Sequence, residues 1–189
     1  MRLLIHACVR EDSRTARLAG ALLEKLGGAD AVCDLTRERP EALTRETLEK
    51  RTALIEAGDF GDPMFRFARQ FAAADEIVLA APYWDLGFPA VLKAYLEQIY
   101  VTGLTSRYDE RGVPVGLCRA KKLWYVTTAG GPFLPDFSYD YVRTLATVCF
   151  GIPETELVYA EGLDVWSSDP EAILRTAIDG LNGEEKKHR

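Results

Sequence analysis

Cysteine and histidine are scarce in this chain of 189 residues, and what there is of them is scattered. Cys8, Cys33, Cys118 and Cys149 include no CxxC pair, and His6 and His188 are the only histidines, so a Cys/His metal cage has too few parts. The thiols are expected free, packed as small apolar groups. Long apolar runs are missing too. Met1 to His6 is apolar for about six residues before Arg10, Glu11 and Asp12, too short for a signal peptide or a membrane span, and a cytoplasmic protein is expected. Basic charge is modest: 23 Lys and Arg against 29 Asp and Glu leave a net charge of -6 with no basic stripe, which disfavours a nucleic-acid groove. The chain also lacks both a GxGxxG fingerprint and a Walker lysine, which argues against a Rossmann-style dinucleotide pocket and a nucleoside triphosphate loop.

With 48% hydrophobic and 28% charged residues, the chain has enough apolar surface to bury a sizeable core without staples. One domain over residues 1–182 is expected, followed by a charged tail at 183–189. Leu3–Ala7 reads as a strand, and Ser13–Gly27 repeats apolar residues at helical spacing up to a Gly-Gly stop. Ala31–Leu35 is a second strand and Pro40–Glu56 a solvated helix. Asp62–Ala74 is helical, Glu76–Ala81 a buried strand, and Pro89–Val101 a helix with proline in its first turn. A long polar connection leads to the strand Leu123–Thr127, the helix Tyr139–Phe150, the strand Leu157–Ala160 and the helix Pro170–Leu181. Five rounds of strand and helix call for an α/β fold, a three-layer sandwich around a five-stranded parallel sheet of order 2-1-3-4-5. In such a sheet, ligands bind beyond the carboxyl ends of the strands, here the loops after strands one, three and four.

Those loops hold the unusual residues. After strand one, Ser13, Arg14 and Thr15 open a helix whose free N–H groups suit a phosphate, although Ser13 or Asp12 could equally be a plain helix cap. After strand three, Pro82-Tyr83-Trp84-Asp85 puts two large aromatics at a strand end, suited to a planar heterocycle or to a subunit contact. After strand four, Thr128-Ala129-Gly130-Gly131 lets backbone N–H groups approach a ligand closely, or is a simple turn. A phosphate-ready helix start, a ring platform and an N–H-rich turn at one sheet edge together describe a flavin mononucleotide (FMN) site.

Several short motifs recur in a fixed order: Ser13-Arg-Thr with Leu18-Ala, Ala81-Pro82 before the aromatic loop, Leu92-Lys-x-Tyr95, and Gly103-Leu-Thr-x-Arg-Tyr108. Gly116-Leu117 before Lys121-Lys122, Gly130-Gly131, Phe150-Gly151 and Ala160-Glu-Gly162 continue the series. In this the chain resembles the flavodoxin-like NAD(P)H:quinone oxidoreductases and FMN-dependent azoreductases. The resemblance implies FMN with its phosphate on Ser13, Arg14 and Thr15, its ring against Pro82, Tyr83, Trp84 and Asp85, and its pyrimidine edge near Thr128 to Gly131. It implies NADH or NADPH as donor, ping-pong hydride transfer to a quinone, azo compound or similar aromatic acceptor, and no catalytic side chain. It also implies a homodimer with the site at the interface, where Tyr108 and Phe150 border the substrate. The chain departs from the better-known azoreductases in a shorter, more acidic phosphate loop and in the Tyr83-Trp84 pair. Two rivals remain. A flavodoxin-type electron carrier shares the fold, and Cys8-x5-Arg14-Thr15 fits the loop of the low-molecular-weight cysteine phosphatases. Against the latter stand Glu11 and Asp12 inside the loop. His6 is expected to be a hydrogen-bonded sheet residue.

Overall fold

In the computed structural model, which describes residues 1–133 and 137–182, strands and helices alternate as the apolar spacing demands. The parallel strands are β1 (Arg2–His6), β2 (Ala31–Asp34), β3 (Glu76–Ala80), β6 (Lys122–Thr128) and β7 (Glu154–Ala160). They lie in the order β2-β1-β3-β6-β7, which is the expected 2-1-3-4-5. The register runs His6 beside Ala80, Ala80 beside Val126, and Thr128 beside Ala160, so the carboxyl ends form one edge. Side chains alternate between the two faces. Leu3, Ile5, Ile77, Leu79, Leu123 and Tyr125 enter one core, while Val78, Ala80, Val126, Val158 and Ala160 enter the other.

The second core is covered by α1 (Arg14–Leu26) and α7 (Pro170–Asn182), through Leu18, Leu22 and Leu174. Helix α1 is well bounded. Ser13 Oγ accepts the Ala16 N–H at 3.2 Å, and at the far end Gly27, with φ 87°, lets the N–H of Gly28 close on Leu23 O at 2.8 Å. The first core is covered by α2 (Leu35–Glu38), α4 (Arg66–Ala73), α5 (Ala90–Ile99) and α6 (Tyr139–Thr144), which winds on into a π-turn at Leu145–Cys149. The helix expected from Pro40 begins later, as α3 (Arg45–Glu56), where Thr44 and Thr47 form a reciprocal cap. Two local facts move the boundary. Asp34 caps a short helix that buries Leu35, and Arg39 ends that helix with φ 45°. Leu35 itself, expected at the end of strand two, therefore belongs to α2.

The polar connection before β6 contains a hairpin that the sequence did not announce, β4 (Ser106–Tyr108) antiparallel to β5 (Pro114–Gly116). Asp109 builds its turn by accepting the N–H groups of Arg111 and Val113, each at 2.8 Å. Gly116 is pinned: a Cβ there would lie 2.0 Å from the backbone of Phe150 and Gly151. The hairpin stands at the amino edge of the sheet, because α5 carries the chain away from the end of β3 and the N–H of Lys121 returns to Asp75 O at 2.9 Å. The tail expected at 183–189 lies outside the described residues, and among those described no helix is long and apolar enough to cross a membrane.

Candidate active site

The carboxyl edge of the sheet opens into a cleft of about 270 Å³, bordered by the start of α1, the loop after β3, the turn after β6 and the loop after β7. Ser13, Arg14, Thr15, Pro82, Tyr83, Trp84, Thr128, Ala129 and Gly130 all line it. Asp85 and Gly131 stand beside it without lining it. Sequence reasoning missed Val9, Arg10, Asp12, Leu163 and Asp164, which complete the wall. Leu163 and Asp164 follow β7 just past Ala160-Glu-Gly162, a motif that marked the loop but not these two residues.

At the helix start, Thr15 is 1% exposed and its hydroxyl lies 2.6 Å from that of Thr128, which joins the loop after β1 to the end of β6. Ser13 is the cap of α1, its oxygen accepting the Ala16 N–H while its hydroxyl also bonds the Cys8 thiol beneath it. No acidic residue occupies the first turn, and the dipole end of α1 faces the cleft with its positive sign intact. Arg14 reaches sideways to Asp164 at 2.8 Å and to the carbonyl of Leu163 at 3.3 Å.

On the opposite side, the N–H of Tyr83 donates to Thr128 O at 3.0 Å, and its ring meets Phe133 edge to face at 4.8 Å. Trp84 and Gly87 exchange both backbone hydrogen bonds around a two-residue turn, with Asp85 at φ 50° and Leu86 at φ 65°. Both turn residues occupy the left-handed region, a strained conformation for side-chain-bearing residues that holds the indole of Trp84, 38% exposed, at the cleft. Gly130 is close-packed, since a Cβ would meet the Asp164 carboxylate at 2.5 Å, whereas a Cβ on Gly131 would meet nothing within 4 Å.

Two of the expected assignments change, those of Phe150 and His6. Phe150 is 1% exposed, its ring held between Phe71 at 5.1 Å and Tyr100 at 5.6 Å, so it is a core residue and does not line this cleft. Tyr108 is half-exposed with its hydroxyl 3.2 Å from that of Tyr100, but it sits on the amino-edge hairpin, remote from the cleft of its own chain. His6 is not hydrogen-bonded through Nδ1, which lies 3.6 Å from Asp34. The phosphatase alternative also loses its nucleophile. Cys8 is 3% exposed with Sγ against Ala80 O at 3.7 Å, and burial pushes its thiol up to about 11, outweighing the bond to Ser13 that pulls it down. A thiol held protonated at neutral pH cannot attack a phosphate ester.

The donor set fits a phosphorylated flat heterocycle. A hydroxyl pair and a helix start supply N–H and O–H donors for a phosphate, Trp84 supplies a ring face at the side, and Gly130 supplies a bare backbone opposite. That combination, on a doubly wound parallel sheet, defines a mononucleotide-binding α/β protein. The comparisons agree. Residues 2–182 match the family described by its flavodoxin-like fold, and the chain belongs to it. An FMN-dependent NADH:quinone oxidoreductase of Clostridium acetobutylicum is 36% identical over 187 residues, covering 93% of this chain and 92% of that one. Among solved structures, an azoreductase from Bacillus anthracis superposes with a TM-score of 0.82 at 24% identity, covering 95% of each chain. An FMN-dependent NADH-azoreductase from the same species, solved with FMN, gives a TM-score of 0.78 at 21% identity, with 95% of this chain and 94% of that one covered.

Proposed function

We propose that the chain is an FMN-dependent oxidoreductase that passes electrons from NADH or NADPH to quinones, azo compounds or similar aromatic acceptors. The observation that carries this reading is the meeting of α1, the Tyr83-Trp84 loop and the Thr128–Gly130 turn in one cleft of a flavodoxin-like fold. The 36% identical quinone oxidoreductase supports the choice of activity. FMN, when bound, supplies the two-electron chemistry that links a nicotinamide to an aromatic acceptor. Ser13, Thr15 and the free N–H groups of α1 would hold its phosphate, with Arg14 at the rim. Pro82, Tyr83, Trp84 and Asp85 would border the ring and the aromatic partner stacked on it. Thr128 to Gly131 would face the pyrimidine end, where N–H donors stabilise negative charge as it develops. No side chain of the cleft is assigned to proton transfer.

The reading includes a homodimer. Tyr108, at the amino-edge hairpin, can border substrate only in the cleft of a second copy, and Trp84, Leu86, Tyr108 and Tyr141 expose apolar surface that a dimer would cover. It also includes a cytoplasmic setting and a single domain over residues 1–182. The test begins with the absorption spectrum of purified protein, followed by titration with FMN and FAD and by steady-state NADH and NADPH oxidation with a quinone. Flavin bands, preference for FMN and sustained turnover are expected. Protein that takes up no FMN would overturn the reading, and FMN uptake without turnover would favour an electron carrier.

A further inference from the structure

Asp164 lies on the loop between β7 and α7, outside every segment that the sequence singled out. Its carboxylate accepts from Arg14 at 2.8 Å, and its N–H donates to Gly130 O at 2.8 Å. The preceding N–H groups of Gly162 and Leu163 donate to Gly131 O at 3.1 Å and Ala129 O at 3.2 Å. One loop thus grips both the start of α1 and the turn after β6. The grip explains a glycine. A Cβ on Gly130 would fall 2.5 Å from Asp164 Oδ2 and 3.2 Å from the Asp164 Cβ, so Asp164 by itself leaves no room for a side chain there.

The carboxylate does not stand there for stability. The Asp164 side chain is 62% exposed and that of Arg14 26%, and such pairs contribute at most about 1 kcal/mol to folding. Placed beside a pocket built to receive an anion, an unpaired carboxylate would weaken binding. Resting on the FMN reading above, we infer that Asp164 is a positioning residue of the cofactor cleft. It turns the Arg14 guanidinium along the phosphate rim, fixes the Gly130 peptide against the pyrimidine end, and with Arg14 makes a charge-neutral pair beside the ring. Neutrality has a consequence. Reduction adds negative charge to the flavin, so freeing the Arg14 cation favours the reduced form and freeing the Asp164 anion favours the oxidised one.

The test compares Asp164→Asn, Arg14→Met, Asp164→Ala, Gly130→Ala and the double variant Asp164→Ala/Gly130→Ala, each loaded with FMN after circular dichroism shows native secondary structure. Asn at 164 keeps the size and an acceptor for Arg14. FMN affinity is therefore expected to fall by less than about threefold while the midpoint potential of bound FMN rises, whereas Arg14→Met lowers it. Asp164→Ala is expected to weaken FMN about three- to fivefold. Gly130→Ala costs more than about tenfold, and most of that loss is recovered in the double variant, since the clash is with the carboxylate. Potentials that do not move in opposite directions in Asp164→Asn and Arg14→Met, with FMN bound to both, would overturn the inference. So would a Gly130→Ala loss undiminished in the double variant. If Gly130→Ala does not fold, the pair of potentials decides alone. Wild-type protein that binds no FMN overturns the functional reading instead.

Discussion

Removing the hydroxyl of Thr15 while keeping its shape separates folding from cofactor binding at one atom. In Thr15→Val, Thr128 Oγ1 loses the partner it holds at 2.6 Å, in a position where Thr15 is 1% and Thr128 8% exposed. A buried polar group left without its hydrogen bond costs about 1–3 kcal/mol, and each kcal/mol lowers Tm by about 2–4 °C in a chain of this size. The central expectation for the cofactor-free protein is a loss of about 2 kcal/mol and a Tm lower by about 4–8 °C. In the double variant Thr15→Val/Thr128→Val both hydroxyls are gone and two methyl groups meet instead, so much of the stability should return. Cofactor affinity should not return with it. If Thr15 donates to the phosphate, both variants bind FMN about five- to thirtyfold more weakly than the parent. The assays are thermal unfolding of the apo-protein and fluorescence titration with FMN. A double variant no more stable than the single one would refute the coupling of the two hydroxyls, and unchanged FMN affinity in both would move the phosphate off Thr15.

Three further outcomes follow from the geometry. Cys8→Ser should leave NAD(P)H:quinone turnover intact, and alkylation of Cys8 in the parent should stay slow at neutral pH and accelerate only as the pH approaches about 11; aryl phosphatase activity abolished by the substitution would revive the thiolate mechanism. Gly116→Ala drives a Cβ into the backbone of Phe150 and Gly151, so it should lose at least the about 1–3 kcal/mol typical of overpacking, read as a lower Tm or as insoluble protein. Glu76 is pushed up by burial, but bonds from Trp124 and Arg2 outweigh this and hold its carboxyl below the usual 4.5. Its contribution is therefore fully present at neutral pH and is lost as the pH falls from about 4.5 through its lower folded value, so Glu76→Gln should flatten the acid limb of a stability-against-pH curve, and an unchanged limb would refute the assignment.

Much of this protein was legible in one dimension because its signals are local. An unbroken apolar run as short as Ile77–Ala80 reads as a strand buried on both faces, and the run of strand, helix and short loop leaves few sheet orders open. The same locality places Ser13, Tyr83 and Gly130 at strand ends, and hence at one edge. Boundaries that depend on a cap or a turn were less legible: Pro40–Glu56 reads as one helix until Arg39 adopts a left-handed backbone and Thr44 caps a later start. Contacts between residues distant in the chain were not legible at all. Arg14 and Asp164 are 150 positions apart, and it takes the successive pairing of β1 with β3, β3 with β6 and β6 with β7 to bring the second beside the first. Phe150 shows the converse. Its sequence neighbours suggested a substrate wall, but the direction of the helix before it carries the ring to the amino edge, where Phe71 and Tyr100 enclose it. Sequence pattern determined which elements form and which loops share an edge, because propensity and periodicity act over a few residues. Tertiary packing alone decided which side chains in those loops meet, because a hydrogen bond or a Cβ clash depends on distances that chain separation does not encode.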